Sequence, residues 1–181
     1  MVDKLIEKII EMQNPTCVGL DTDFSYLPDE MRDGMATFEG VAEQLIEFNM
    51  NIIDKVCDIV PAVKVQVAYY EQYGFEGMRA FDCTVNYARG RGLYVIADCK
   101  RNDIGSTAKC YSTAYLGETD INGKRLTAFP ADMLTVNGYL GTDGIQPFVE
   151  DVKKHDKGIF VLVKTSNPSS GELQNLKLES G

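Results

Sequence analysis

Asp98, Lys100 and Asp103 place two carboxylates around one ammonium within a short stretch of chain, GLYVIADCKRNDIGSTAKCYSTAYLG, residues 92–117. They begin where a nearly continuous apolar run, Leu93 to Ala97, ends. Such a run reads as a buried parallel strand. Residues 104–116 then carry helix-compatible spacing without proline, which puts Ile104 and Thr107 at a helix start. The charged residues therefore belong to a strand end and the loop after it, where α/β folds build their active sites. Alternation along the strand end puts Asp98 and Lys100 on one face. Held in a cleft, such a pair does electrostatic work that a solvated surface pair cannot. A solvated ion pair is the competing reading.

Lys64 interrupts the apolar run of AVKVQV, residues 62–67. A lysine there is costly unless paired, and Asp98 is the expected partner. Asp21 closes another apolar segment, CVGLDTD, where a turn-initiating role competes with a binding one. Ser166 follows a further apolar run in FVLVKTSNPSSGE, and Ser-Asn-Pro is turn chemistry in its own right. Cys99 sits between Asp98 and Lys100, but alternation turns it away from them. The single histidine, His155, is the only imidazole available to activate it. That histidine ends a charged segment, KKHDKG, and reads as a solvated helix C-terminus.

The elements that must position these residues alternate. Strands are expected near 16–21, 61–67, 93–98, 132–136 and 159–164. Helices are expected near 2–12, 39–57, 69–90, 104–116 and 143–154. This order implies a parallel sheet with helical crossovers. Neither a Gly-x-Gly-x-x-Gly nor a Walker A sequence is present. A TIM-type (β/α)8 barrel is the expected architecture. Residues 117–131 break the rhythm and are rich in turn formers, as either an insertion or a simple surface excursion. A complete barrel of this type takes about 250 residues. Five strands in 181 residues predict a single partial barrel domain, roughly the first five β/α units, with an open parallel edge.

Composition bounds the function. The net charge of −9 argues against a nucleic-acid binder, and no apolar run reaches the length of a membrane span. At the N-terminus Val2, Leu5, Ile6, Ile9 and Ile10 share one helical face, as in an amphipathic helix capping a core rather than a signal peptide. The five cysteines form no CxxC and read as buried free thiols of a cytoplasmic protein.

The spacing Asp98-x-Lys100-x-x-Asp103 resembles the signature of the orotidine 5'-phosphate decarboxylases. CVGLDTD and AVKVQV are similar to that family's first two strands. TVNGYLGTDGIQPF, 135–148, and FVLVKTSNPSSGE, 160–172, are similar to later strands and loops of its longer bacterial subgroup. Gly138 departs from the proline expected after Asn137. The resemblance implies conversion of orotidine 5'-monophosphate to uridine 5'-monophosphate and carbon dioxide, in pyrimidine biosynthesis, without metal or organic cofactor. It implies Lys100 as proton donor, Asp98 beside the substrate carboxylate, and Lys64 and Asp103 completing an alternating array. It assigns Asp21 to the ribose and Ser166 to the pyrimidine ring. It implies a homodimer in which Asp103, Ile104 and Thr107 serve the neighbouring site. The family's phosphate grip belongs to later strands, so this stretch alone is expected to be inactive. A metal-dependent sugar-phosphate enzyme of the same barrel superfamily, such as a hexulose-phosphate synthase, is the nearest rival. A non-catalytic half-barrel is the other.

Overall fold

The computed structural model describes residues 1–177, and 178–181 lie outside the described residues. Five strands form one parallel sheet: β1 Cys17–Leu20, β2 Ala62–Gln66, β3 Tyr94–Arg101, β6 Met133–Asn137 and β7 Gly158–Leu162, in the order β1-β2-β3-β6-β7. The main crossovers are α3 Phe38–Val56, α5 Gly74–Gly90, α6 Gly105–Leu116 and α7 Thr142–His155. The strands are built on short apolar runs, each with at least one β-branched residue, and each crossover returns a helix to the sheet. The result is the β/α alternation that the sequence predicts, as a five-stranded part of a barrel.

Alternation sorts the strands into two faces. Leu20, Val63, Val65, Val95, Ala97, Leu134 and Val136 point outward and form the core with Ile53, Phe81, Val85 and Phe148 from the helices. Inward-facing residues line a hollow of about 460 Å³, among them Cys17, Ala62, Lys64, Ile96, Thr135 and Phe160. Helix α1, Val2–Met12, sets Leu5 and Ile9 into its floor. The helix is amphipathic as expected, though it buries no residue fully. Among the described residues, β1 and β7 each pair on one side only, and Phe160 and Val161 on β7 are about half exposed.

Four local expectations are corrected. The helix expected over 69–90 is two, α4 Ala68–Glu71 and α5, because Gly74 takes a left-handed φ of 59° between them. Gly77 keeps the two close: a Cβ there would lie 1.8 Å from the Tyr70 carbonyl oxygen. Strand β3 runs three residues past Asp98, through a bulge described below. Of the five thiols only Cys57 and Cys99 are buried, and Cys17 and Cys110 are exposed. His155 is not fully solvated: its Nε2 lies 3.9 Å from the buried Asp151 carboxylate, one turn back on α7.

The sequence gives no warning of α2, Asp29–Arg32, or of the 3-10 turn before it. Residues 117–131 hold an exposed antiparallel hairpin, β4 Thr119–Ile121 and β5 Lys124–Leu126, closed by Asn122 and Gly123, both with positive φ. A short helix, α8 Gly171–Gln174, follows β7.

Candidate active site

The register places Gly19, Lys64 and Ile96 side by side on β1, β2 and β3, and sets Gln66 beside Asp98. The C-terminal strand ends thus bring Asp21, Lys64 and Asp98 to one rim. Lys64 Nζ donates to Asp98 Oδ2 at 2.8 Å and to Asp21 Oδ1 at 3.4 Å. Lys100 Nζ donates to Asp98 Oδ1 at 2.6 Å. The charges alternate as Asp21, Lys64, Asp98, Lys100, and sum to zero.

Lys100 reaches this array through a backbone irregularity. Ala97 pairs with Leu134 and Arg101 with Val136, so β3 spends two more residues than β6 over that interval. Lys100 absorbs the excess with a left-handed φ of 48°. Non-glycine residues adopt that conformation at a cost, and bulges of this kind re-aim side chains beside active sites. Thr135 fills the gap: its hydroxyl accepts from the Lys100 N–H at 3.0 Å and donates to Asp98 Oδ1 at 2.8 Å. On the outer face Arg101 anchors the strand end. Its guanidinium donates to Glu71 at 2.6 Å and lies over the rings of Tyr111 and Tyr115.

Asp98 is the hub. Its side chain is 8% exposed and accepts four hydrogen bonds, the fourth from Gln66 Nε2 at 2.9 Å. Burial alone would raise its pKa, but the bonds from Lys100, Lys64 and Thr135 hold it below the ordinary carboxylate value. Burial likewise opposes the charge on Lys64, yet the Asp98 bond and the two carboxylate charges hold its pKa above the usual lysine value. Both groups stay ionised near neutrality. Cys99, between Asp98 and Lys100 in sequence, faces the core, where burial pushes its thiol up to about 12 and leaves no thiolate for attack.

The other expected site residues stand apart from the array. The Asp103 carboxylate accepts from the Ile104 N–H at 2.8 Å and makes no ion pair with Lys64 or Lys100. Ile104 and Thr107 are exposed at the start of α6, and Ser166 is exposed after β7. Asp21 instead extends the array at its Lys64 end. Gln66 and Thr135 are site residues that sequence reasoning missed. Gln66 was discoverable, since it lies two positions past Lys64 on the same face of β2.

A model of the orotidine 5'-phosphate decarboxylase / HUMPS family matches residues 15–180. The chain belongs to that family. A Caldicellulosiruptor saccharolyticus orotidine 5'-phosphate decarboxylase is 44% identical over 182 residues, covering 98% of this chain and 60% of that protein. The Clostridium acetobutylicum enzyme of the same name is 38% identical over 181 residues, covering 100% of this chain and 59% of that protein. A Streptomyces avermitilis crystal structure, described as a candidate orotidine 5'-phosphate decarboxylase, superposes with a TM-score of 0.82 at 32% identity. It is covered to 58%, and this chain to 99%. Leishmania donovani OMP decarboxylase gives a TM-score of 0.73 at 28% identity, covering 97% of this chain and 59% of that one. The chain thus spans about 60% of the length of the curated relatives.

Proposed function

We propose that this chain supplies the charged half of an orotidine 5'-monophosphate decarboxylase site in a cytoplasmic, pyrimidine-synthesising homodimer. The observation that carries the reading is the Lys64–Asp98–Lys100 array, held on the inner rim of a sheet that belongs to this family. Loss of carbon dioxide leaves an electron pair on a ring carbon without an obvious sink. Lys100, the more exposed of the two lysines, faces that charge as it forms and delivers the proton that quenches it. Asp98 holds Lys100 in place and lies beside the departing carboxylate. Two unit charges about 4 Å apart interact by about 4 kcal/mol at an effective dielectric near 20. Enzymes lower barriers by about 8–23 kcal/mol, so repulsion of the ground state is too small to suffice. Stabilisation of the transition state by the lysine, with binding energy from remote substrate groups, must supply most of it.

Asp21 is assigned to the ribose and Ser166 to the pyrimidine ring. Asp103, Ile104 and Thr107 are assigned to a partner subunit's site. Support for that assignment is the exposure of Ile104 and Thr107, and an Asp103 carboxylate that bonds the Ile104 N–H rather than joining the array. The reading requires neither metal nor organic cofactor: both Asp98 oxygens accept from ammonium groups. No helix among the described residues is long and apolar enough to cross a membrane, and the net charge of −9 disfavours nucleic acid. In a chain completed with the part of a relative that this chain does not match, turnover of orotidine 5'-monophosphate that survives a chelator, and is lost with Lys100→Ala, is the expected result. Chelator-sensitive turnover of a sugar phosphate would favour the rival within the family.

A further inference from the structure

Asp21 is 44% exposed on its side chain and has one bond in the array, the 3.4 Å contact from Lys64. Little around its own carboxylate fixes its direction. Its two chain neighbours, by contrast, are tied to a buried polar relay. Thr22, 5% exposed, donates its hydroxyl to Asn49 Oδ1 at 2.6 Å. Asn49, fully buried on α3, donates through Nδ2 to the Tyr70 hydroxyl at 2.9 Å. Tyr70, fully buried on α4, donates to the Leu20 carbonyl at 3.5 Å. The relay therefore starts one residue after Asp21 and returns one residue before it. It spans β1, α3 and α4.

A buried amide and phenol are expensive unless satisfied, and a fully satisfied network rigidifies what it joins. Burial pushes the Tyr70 phenol well above its ordinary pKa, so it remains a donor throughout the range in which the array is ionised. An apolar set of the same shape would pack this space as well. The polar groups instead fix the backbone on both sides of one exposed carboxylate.

We propose that Thr22, Asn49 and Tyr70 are positioning residues that aim the Asp21 carboxylate at Lys64. The proposal rests on the reading of Asp21 as a member of the array. It predicts that breaking the relay acts on Lys64, which the relay does not touch.

The test is competitive acetylation of the 181-residue chain with trace acetic anhydride near pH 9, read lysine by lysine by mass spectrometry. Lys157, whose side chain is 15% exposed and bonded to the Ala131 carbonyl, reports whether the fold is intact. Asp21→Asn should raise Lys64 labelling relative to Lys157 by about two- to fivefold, since the free-amine fraction changes tenfold per pKa unit. Thr22→Val, which removes only the hydroxyl from a side chain of the same shape, should produce the same rise. Thr22→Ser should restore the wild-type ratio.

If Asp21→Asn raises the ratio and Thr22→Val does not, the positioning proposal is overturned and the array stands. If Asp21→Asn is silent, Asp21 is not part of the array and the proposal falls with that reading. Should Thr22→Val raise Lys157 labelling as well, Tyr70→Phe decides: the same selective rise at Lys64 supports the relay, and an unchanged ratio overturns it.

Discussion

Replacing Asp98 by asparagine should destabilise the fold far more than the same change at Asp103. Asp98 accepts from Lys64 and Gln66 on one oxygen and from Lys100 and Thr135 on the other. An asparagine has one acceptor oxygen, so its amide nitrogen must face one of these donor pairs whichever way it turns. Each pair contains an ammonium. One charge-bearing bond, worth about 1.5–3 kcal/mol, is therefore lost outright, and two lysines are left around a neutral hub.

Breaking a buried ion pair costs about 3–5 kcal/mol. Lys64 and Lys100 are 32% and 46% exposed on their side chains, so solvent screens part of that penalty. The expected loss is about 2–3 kcal/mol after this discount. With an m-value of about 1–3 kcal/mol/M, the urea midpoint should fall by about 0.7–3 M. Asp103, bonded only to the neighbouring Ile104 N–H, should cost no more than about 0.5 kcal/mol as asparagine. The assay is urea unfolding of the 181-residue chain followed by far-UV circular dichroism. A midpoint for Asp98→Asn equal to wild type, or a loss at Asp103 as large as at Asp98, would refute the hub.

The pH dependence follows from the same groups. Asp98, held below its ordinary value, contributes stability that is present above its unfolded pKa of about 3.9 and is lost as pH falls through its folded pKa. Acid unfolding should therefore be shallower in Asp98→Asn than in wild type. Lys64, held above its ordinary value, contributes stability present below about pH 10.4 and lost as pH rises through its folded pKa. Lys64→Met should flatten the alkaline limb of the stability profile, and an unchanged limb counts against the pairing. Gly77→Ala should cost about 2–3 kcal/mol in urea unfolding, because its Cβ meets the Tyr70 carbonyl oxygen and backbone must move. In a chain completed with the part of the C. saccharolyticus relative that this chain does not match, Lys100→Ala and Asp103→Ala should each abolish turnover. Mixing the two variants should recover some activity, and none from confirmed heterodimers would contradict shared sites.

The features legible in the sequence are those set by short-range chemistry. A lysine inside an apolar strand requires a partner, and Asp98 is that partner. The five strands and the five main helices follow from hydrophobic runs and their punctuation, although one expected helix is two. The bulge at Lys100 was not legible, because nothing in DCKR marks a non-glycine residue for left-handed backbone. The group that receives the freed Lys100 N–H lies across the sheet, in the Thr135 hydroxyl. Threonine in TVN reads as an ordinary strand former, so its role waits on register. The same holds for Asp21: alternation sets its face, but only the pairing of β1 with β2 puts it within reach of Lys64. Exposure of Cys17 and Cys110 escaped the sequence for a related reason. Apolar neighbours show that a segment is buried, not which of its residues face away.

If the array on the inner rim decarboxylates orotidine 5'-monophosphate, removing its lysine from a completed chain must remove the activity. The completed chain, its Lys100→Ala variant and the 181-residue chain are purified, and loss of the orotate absorbance is followed at matched concentrations. Turnover is expected from the completed chain alone, unaffected by chelator, with both others silent. Turnover that survives Lys100→Ala in a completed chain of unchanged fold would contradict it.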